Sequence, residues 1–144
     1  MVPRLTLVLE RRGTPKFMTC DTTIHIIDDN QAMLESLSLL LTTEGYSVRK
    51  YESTRRFLDA IKHHACGRVV TDMNLPGMSG LDLLAVMKEQ NISLPTIVIT
   101  AVCDVRLSVN AKKLGAFGFL GKPFDAGSLL TSLRSALMRA PTCH

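Results

Sequence analysis

From Thr22 to Arg139 the chain repeats one pattern five times: a short run rich in β-branched residues, then a segment with apolar residues at helical spacing. That alternation constrains the fold more than any other feature, because strands separated by a crossover helix pair in parallel. TIHII (23–27), YSVRKY (46–51), the VVT run ending at Asp72, SLPTIVIT (93–100) and AFGFLG (116–121) read as the strands. Met33, Leu34, Leu37, Leu40 and Leu41 mark the first helix, which Gly45 ends. Phe57, Leu58 and Ile61 mark the second. Leu81, Leu84 and Met87 mark the third, with Ser79 as its cap. A short fourth helix spans 104–114. Leu129, Leu130, Leu133 and Leu137 mark the last, with Pro123 expected to open it.

The implied fold class is α/β: a doubly wound, five-stranded parallel sheet with helices on both faces. Right-handed crossovers favour the strand order 2-1-3-4-5, in which the chain changes direction between strands 1 and 3. Ligands in such sheets bind at the carboxyl ends of the strands near that switch point. Asp28 and Asp29 follow strand 1, Asp72 ends strand 3, Thr100 ends strand 4 with Ala101 next, and Lys122 follows strand 5. Each has an ordinary use when taken alone. Asp28, Asp29 and Asn30 are good helix caps, Thr100 can satisfy a turn, and Lys122 can be a solvated lysine. Placing all of them at one edge by chance is improbable.

Three carboxylates at one mouth need a counterion. Two of them about 5 Å apart repel by roughly 3 kcal/mol at an effective dielectric near 20. A hard divalent cation resolves the conflict, and Lys122 offsets part of the charge without it. Mg²⁺ suits such a mouth, since it takes a few carboxylate or carbonyl oxygens and keeps waters that a phosphate can replace. One carboxylate is then placed to attack phosphorus as a nucleophile.

Charge argues against a nucleic-acid surface. The chain has 144 residues and a net charge of +4, but its first 20 residues hold four basic side chains against one acidic. The remaining 13 basic and 12 acidic side chains nearly cancel, and no basic stripe carries interleaved aromatics. Residues 1–21 are expected to be a flexible extension, 22–139 one domain and 140–144 a tail. Cys20, Cys66, Cys103 and Cys143 form no CxxC pair and read as free thiols, and His63 and His64 read as a solvated helix end. Residues 5–9 are too short for a signal or membrane segment, so the expected setting is cytoplasmic.

IIDDN, TDMNLPGMSG, VIT followed by Ala101, and GFLGKPF together resemble the signature of response-regulator receiver domains, over about residues 22–139. The run ITA…DV…AKKLGA…F.GKPF is most similar to receivers of nitrogen-fixation-type transcriptional regulators. The resemblance implies a flavodoxin-like fold with Asp72 as phosphoacceptor, served by a sensor histidine kinase or phosphotransfer protein. It implies Asp29 as a direct Mg²⁺ ligand, Asp28 as a helper through water, and the Asn74 backbone carbonyl as a further ligand alongside Asp72. Lys122 would pair with a phosphoryl oxygen across a cis bond to Pro123. Thr100 would donate its hydroxyl to the phosphoryl group, beside the Ala101 N–H. Phe119 would follow Thr100 inward as a switch residue, while Phe117 is expected in the core.

The resemblance places the output on helix 4, strand 5 and helix 5, with Val105, Arg106 and Leu120 expected at the surface. A phosphorylation-dependent homodimer or a separate partner is the expected target. The chain runs only a few residues past the last helix, so no DNA-binding module and no direct nucleic-acid contact are expected. Gly121 stands where related receivers often carry a larger, acidic residue. The alternative is an aspartyl phosphatase of the haloacid dehalogenase type, whose nucleophile should stand on strand 1 in a DxDx[TV] run; here strand 1 gives DDNQA. A flavodoxin-like cofactor binder would need a phosphate-cradling Ser/Thr/Gly loop after strand 1, which is absent.

Overall fold

Strands β1 (Thr23–Ile27), β3 (Arg68–Asp72) and β4 (Thr96–Thr100) are buried along their whole length, as aliphatic strands at the centre of a two-sided sheet must be. They belong to a computed structural model that describes residues 23–62, 66–101 and 104–139. β2 (Ser47–Tyr51) and β5 (Gly118–Gly121) form the edges, and all neighbours pair in parallel in the order β2-β1-β3-β4-β5. Five helices alternate with them among the described residues: α1 (Gln31–Thr43), α2 (Thr54–Ile61), α3 (Gly80–Glu89), α4 (Val105–Lys113) and α5 (Ala126–Arg139). The fold class and strand order are those expected from the alternation.

Side-chain alternation along the strands splits the core into two layers. Ile24, Ile26, Val70, Ile97 and Ile99 face Leu34, Leu37 and Leu41 of α1 and Leu129, Leu130 and Leu133 of α5. Ile27 and Val69 face the other way, onto Phe57 and Ile61 of α2 and Leu83 and Met87 of α3. Val98 meets Leu84 and the α4 residue Ala111 on that same side. Each fully buried aliphatic side chain contributes about 1.5–3 kcal/mol. The sheet is therefore fixed from both faces, and with it the position of every strand end.

Helix starts are set by short polar side chains that accept the free N–H groups of the first turn. Asn30 accepts from Met33 N, Ser53 from Arg56 N, and Asp104 from Arg106 N. Ser79 and Asp82 form a reciprocal capping box at α3.

Five expectations are corrected. α5 begins at Ala126 rather than at Pro123, because the Asp125 carboxylate accepts Ser128 N–H at 2.6 Å and starts the helix there. β5 is shorter than expected, starting at Gly118 rather than at Ala116. Phe117 thus precedes the strand and is half-buried rather than core, while Leu120 packs partly against the α1–α5 layer rather than standing free. Cys66 is disulfide-bonded, not a free thiol: spacing along the sequence carries no information about which segments the fold brings together. Cys20, Cys103, Cys143, His63, His64 and the proposed N-terminal extension lie outside the described residues.

Candidate functional site at the carboxyl edge of the sheet

β1 and β3 are neighbours, and their ends deliver Asp28 and Asp72 to the same edge. Asp28 is 4% exposed; its N–H donates to the Tyr51 carbonyl at 3.1 Å, and its Oδ1 accepts Asn30 N–H at 2.9 Å. The helix-cap use expected as an alternative falls to Asn30, so Asp28 and Asp29 remain at the mouth. Asp29 is exposed and Asp72, the last residue of β3, is 9% exposed. One carboxylate oxygen from each of Asp28, Asp29 and Asp72 lies within 4.8 Å of the others. At that separation each ionised pair repels by roughly 3 kcal/mol at an effective dielectric near 20.

The charges respond to this crowding. Burial raises the Asp28 carboxyl above its ordinary range, opposed by the Asn30 N–H and the Lys122 ammonium and reinforced by Asp72 and Asp29. Lys122 Nζ stands 3.7 Å from Asp72 Oδ1, with its side chain 28% exposed. Among the described residues one cation therefore faces three carboxylates, which leaves an excess of negative charge. All the donors are hard oxygens, which is the set that a small divalent cation prefers.

The remaining expected residues occupy the same edge. Thr100 ends β4, is fully buried, and its backbone carbonyl accepts Lys122 N–H at 2.7 Å. Ala101 follows it and is exposed. Asn74 is exposed two residues beyond Asp72. The Lys122–Pro123 peptide is cis, as expected. Phe119 pairs with Val98 in the β4–β5 ladder and packs half-buried against the layer containing Met73, Leu84 and Ala111. The carboxylates and Lys122 are thus brought together directly; Thr100 ends its strand at the same edge, Ala101 and Asn74 follow strand ends there, and Phe119 lies two residues short of it, opposite Val98.

Two neighbours of Asp72 escaped the sequence reading. The Thr71 hydroxyl donates to the Asp72 carbonyl oxygen at 3.1 Å, and Gly80 N–H donates to the Met73 carbonyl at 2.8 Å. A lone hydroxyl residue in the aliphatic run VVTD is the signal that points to the first.

Comparison with known proteins decides the family. Residues 24–134 match the model of the response regulator receiver domain. The chain belongs to the response-regulator receiver family. It is 41% identical over 123 residues to the transcriptional regulatory protein FixJ of Bradyrhizobium diazoefficiens, covering 85% of this chain and 60% of that protein. It is also 41% identical over 118 residues to the response regulator protein TodT of Pseudomonas putida, covering 82% of this chain and 52% of that one. The receiver therefore spans about half to three-fifths of the curated relatives it matches. Among solved structures, the crystal structure of FixJ-N superposes with a TM-score of 0.79 at 35% identity, over 85% of this chain and 98% of that one. The expected likeness to FixJ-type receivers is borne out. No helix among the described residues is long and apolar enough to cross a membrane.

Proposed function

We propose that this receiver accepts a phosphoryl group on Asp72 from a sensor histidine kinase or phosphotransfer protein, in a Mg²⁺-dependent reaction in the cytoplasm. The observation that carries the reading is the Asp72 carboxylate itself. It ends a buried strand, lies within ion-pair reach of Lys122, and shares its mouth with Asp28 and Asp29. Asp72 attacks phosphorus, forming an acyl phosphate as the bond to the donor breaks. Lys122 moves from Asp72 to a phosphoryl oxygen, and the Thr100 hydroxyl and Ala101 N–H donate to the others. Asp28, Asp29, Asp72 and the Asn74 carbonyl would hold Mg²⁺, which when bound supplies positive charge for the carboxylates and the incoming phosphate.

The chemistry is signalling rather than turnover. Incubation with acetyl phosphate and Mg²⁺ should form an acyl phosphate in the peptide containing Asp72, while a phosphomonoester is not hydrolysed. Sustained release of phosphate from the monoester would instead select the haloacid dehalogenase reading.

Output follows from the α4–β5–α5 face. Val105 is 79% and Val109 44% exposed, one helical turn apart on α4, and the adjacent Arg106 is solvated. Phosphorylation shifts Thr100 towards the phosphoryl group and Phe119 behind it, which changes this face for a partner or a second copy of the chain. No direct nucleic-acid contact is assigned to the domain. Beryllium fluoride with Mg²⁺ should raise the sedimentation-derived mass or strengthen partner binding at this face. Identical amide spectra from β4 to β5 with and without the mimic would remove the switch.

A further inference from the structure

We propose that Thr71 and Gly80 are positioning residues for the phosphoacceptor, acting by clamping the backbone at Asp72 and Met73. This rests on the reading of Asp72 given above and extends it to two residues that touch no phosphate or metal.

Asp72 is the last residue of β3 and still pairs with Ile99, so the ladder holds the backbone up to the residue whose carboxylate must be aimed and not beyond it. Three contacts set it. Met73 N–H, the last donor of the ladder, donates to the Ile99 carbonyl at 2.7 Å, and Gly80 N–H donates to the Met73 carbonyl, in the next peptide, at 2.8 Å. The Thr71 hydroxyl donates to the Asp72 carbonyl oxygen at 3.1 Å. Thr71 is fully buried, where valine would pack equally well and would be the ordinary strand residue. Its hydroxyl is useful there only for a bond of this kind.

Gly80 carries the second half of the argument. It does not have a positive φ, so its backbone does not demand glycine. At the start of α3, alanine would favour the helix. The missing side chain answers a demand for space instead: a Cβ at this position would lie 2.9 Å from the Asp72 carbonyl oxygen and 3.1 Å from Met73 Cα. Both are backbone atoms, and they cannot swing aside. The sequence therefore gives up helix propensity to let α3 close on the peptide that carries the phosphoacceptor, and a small change in that peptide's plane turns the carboxylate away from its partners.

The test is the rate of Asp72 phosphorylation by acetyl phosphate with Mg²⁺, measured well below the melting temperature for the wild type, Thr71→Val, Thr71→Ser and Gly80→Ala. Thr71→Val should slow the reaction about tenfold, as expected for a misdirected nucleophile. Thr71→Ser should restore the wild-type rate although it loses a buried methyl group, so that rate and stability rank the two variants in opposite order. Gly80→Ala should also slow the reaction, and it decides the matter if a Thr71 variant does not fold. Rates that follow stability, with Thr71→Ser no faster than Thr71→Val, would overturn the inference, as would a Gly80→Ala protein labelled at the wild-type rate. A wild-type protein inert to the donor would overturn the proposed function and this inference with it.

Discussion

Asp29→Ala is expected to lower Mg²⁺ affinity by about 100-fold or more, since even partners outside the first ligand shell are worth about 10–100-fold. Asp28 should behave differently, because its carboxyl is buried and raised above its ordinary range, chiefly by that burial. A carboxylate raised in the folded state costs stability once ionised. The cost is absent below its unfolded value, grows as pH rises through the window up to the raised folded value, and is full above it. The metal-free protein should therefore gain stability from this group as pH falls through that window. At neutral pH, Asp28→Asn should raise the melting temperature in chelator-treated buffer and shrink the further rise produced by Mg²⁺. Thermal melts with and without Mg²⁺ check both signs. A lower melting temperature for metal-free Asp28→Asn would mean that the ionised carboxylate serves the fold rather than a cation.

The largest effect on stability is expected at Gly67, at the opposite end of β3 from the site. Its φ is +108°, and a Cβ there would stand 2.5 Å from the Thr23 carbonyl oxygen of the neighbouring strand. Gly67→Ala combines a disfavoured backbone with a collision against backbone, each costing about 1–3 kcal/mol. The melting temperature should fall by on the order of 10 °C or more. Gly45→Ala is the control: φ is +97°, but nothing lies within 4 Å of the added carbon. It should cost only about 1–2 kcal/mol, the backbone term alone. Equal losses at the two positions would show that the approach of β1 to residue 67 does not matter.

What could be read from the sequence divides along a physical line. Strands, helices and their order follow from apolar period and from connection rules, which act locally or through topology, and these were legible. So was the acidic mouth, because a parallel sheet sends every strand's carboxyl end to one edge; Asp28, Asp29, Asp72 and Lys122 meet there. Features set by close approach of distant segments were not. The contact of Gly80 with the Asp72 peptide exists only once α3 is folded back onto β3. Arg68 is 2% exposed at the base of the sheet, although a charged residue opening a strand reads as solvated. Competition between nearby signals explains the misplaced start of α5: Pro123 and Asp125 are both helix openers, and Asp125 sets the start because its carboxylate accepts Ser128 N–H.

The account stands most directly on the identity of one nucleophile. Intact mass of the wild-type chain and of Asp72→Asn, each incubated with acetyl phosphate and Mg²⁺, tests it in one measurement. The wild type should gain the mass of a single phosphoryl group, lost again on treatment with hydroxylamine, and Asp72→Asn should stay unmodified. An unmodified wild type, or a phosphoryl group that persists in Asp72→Asn, would contradict it.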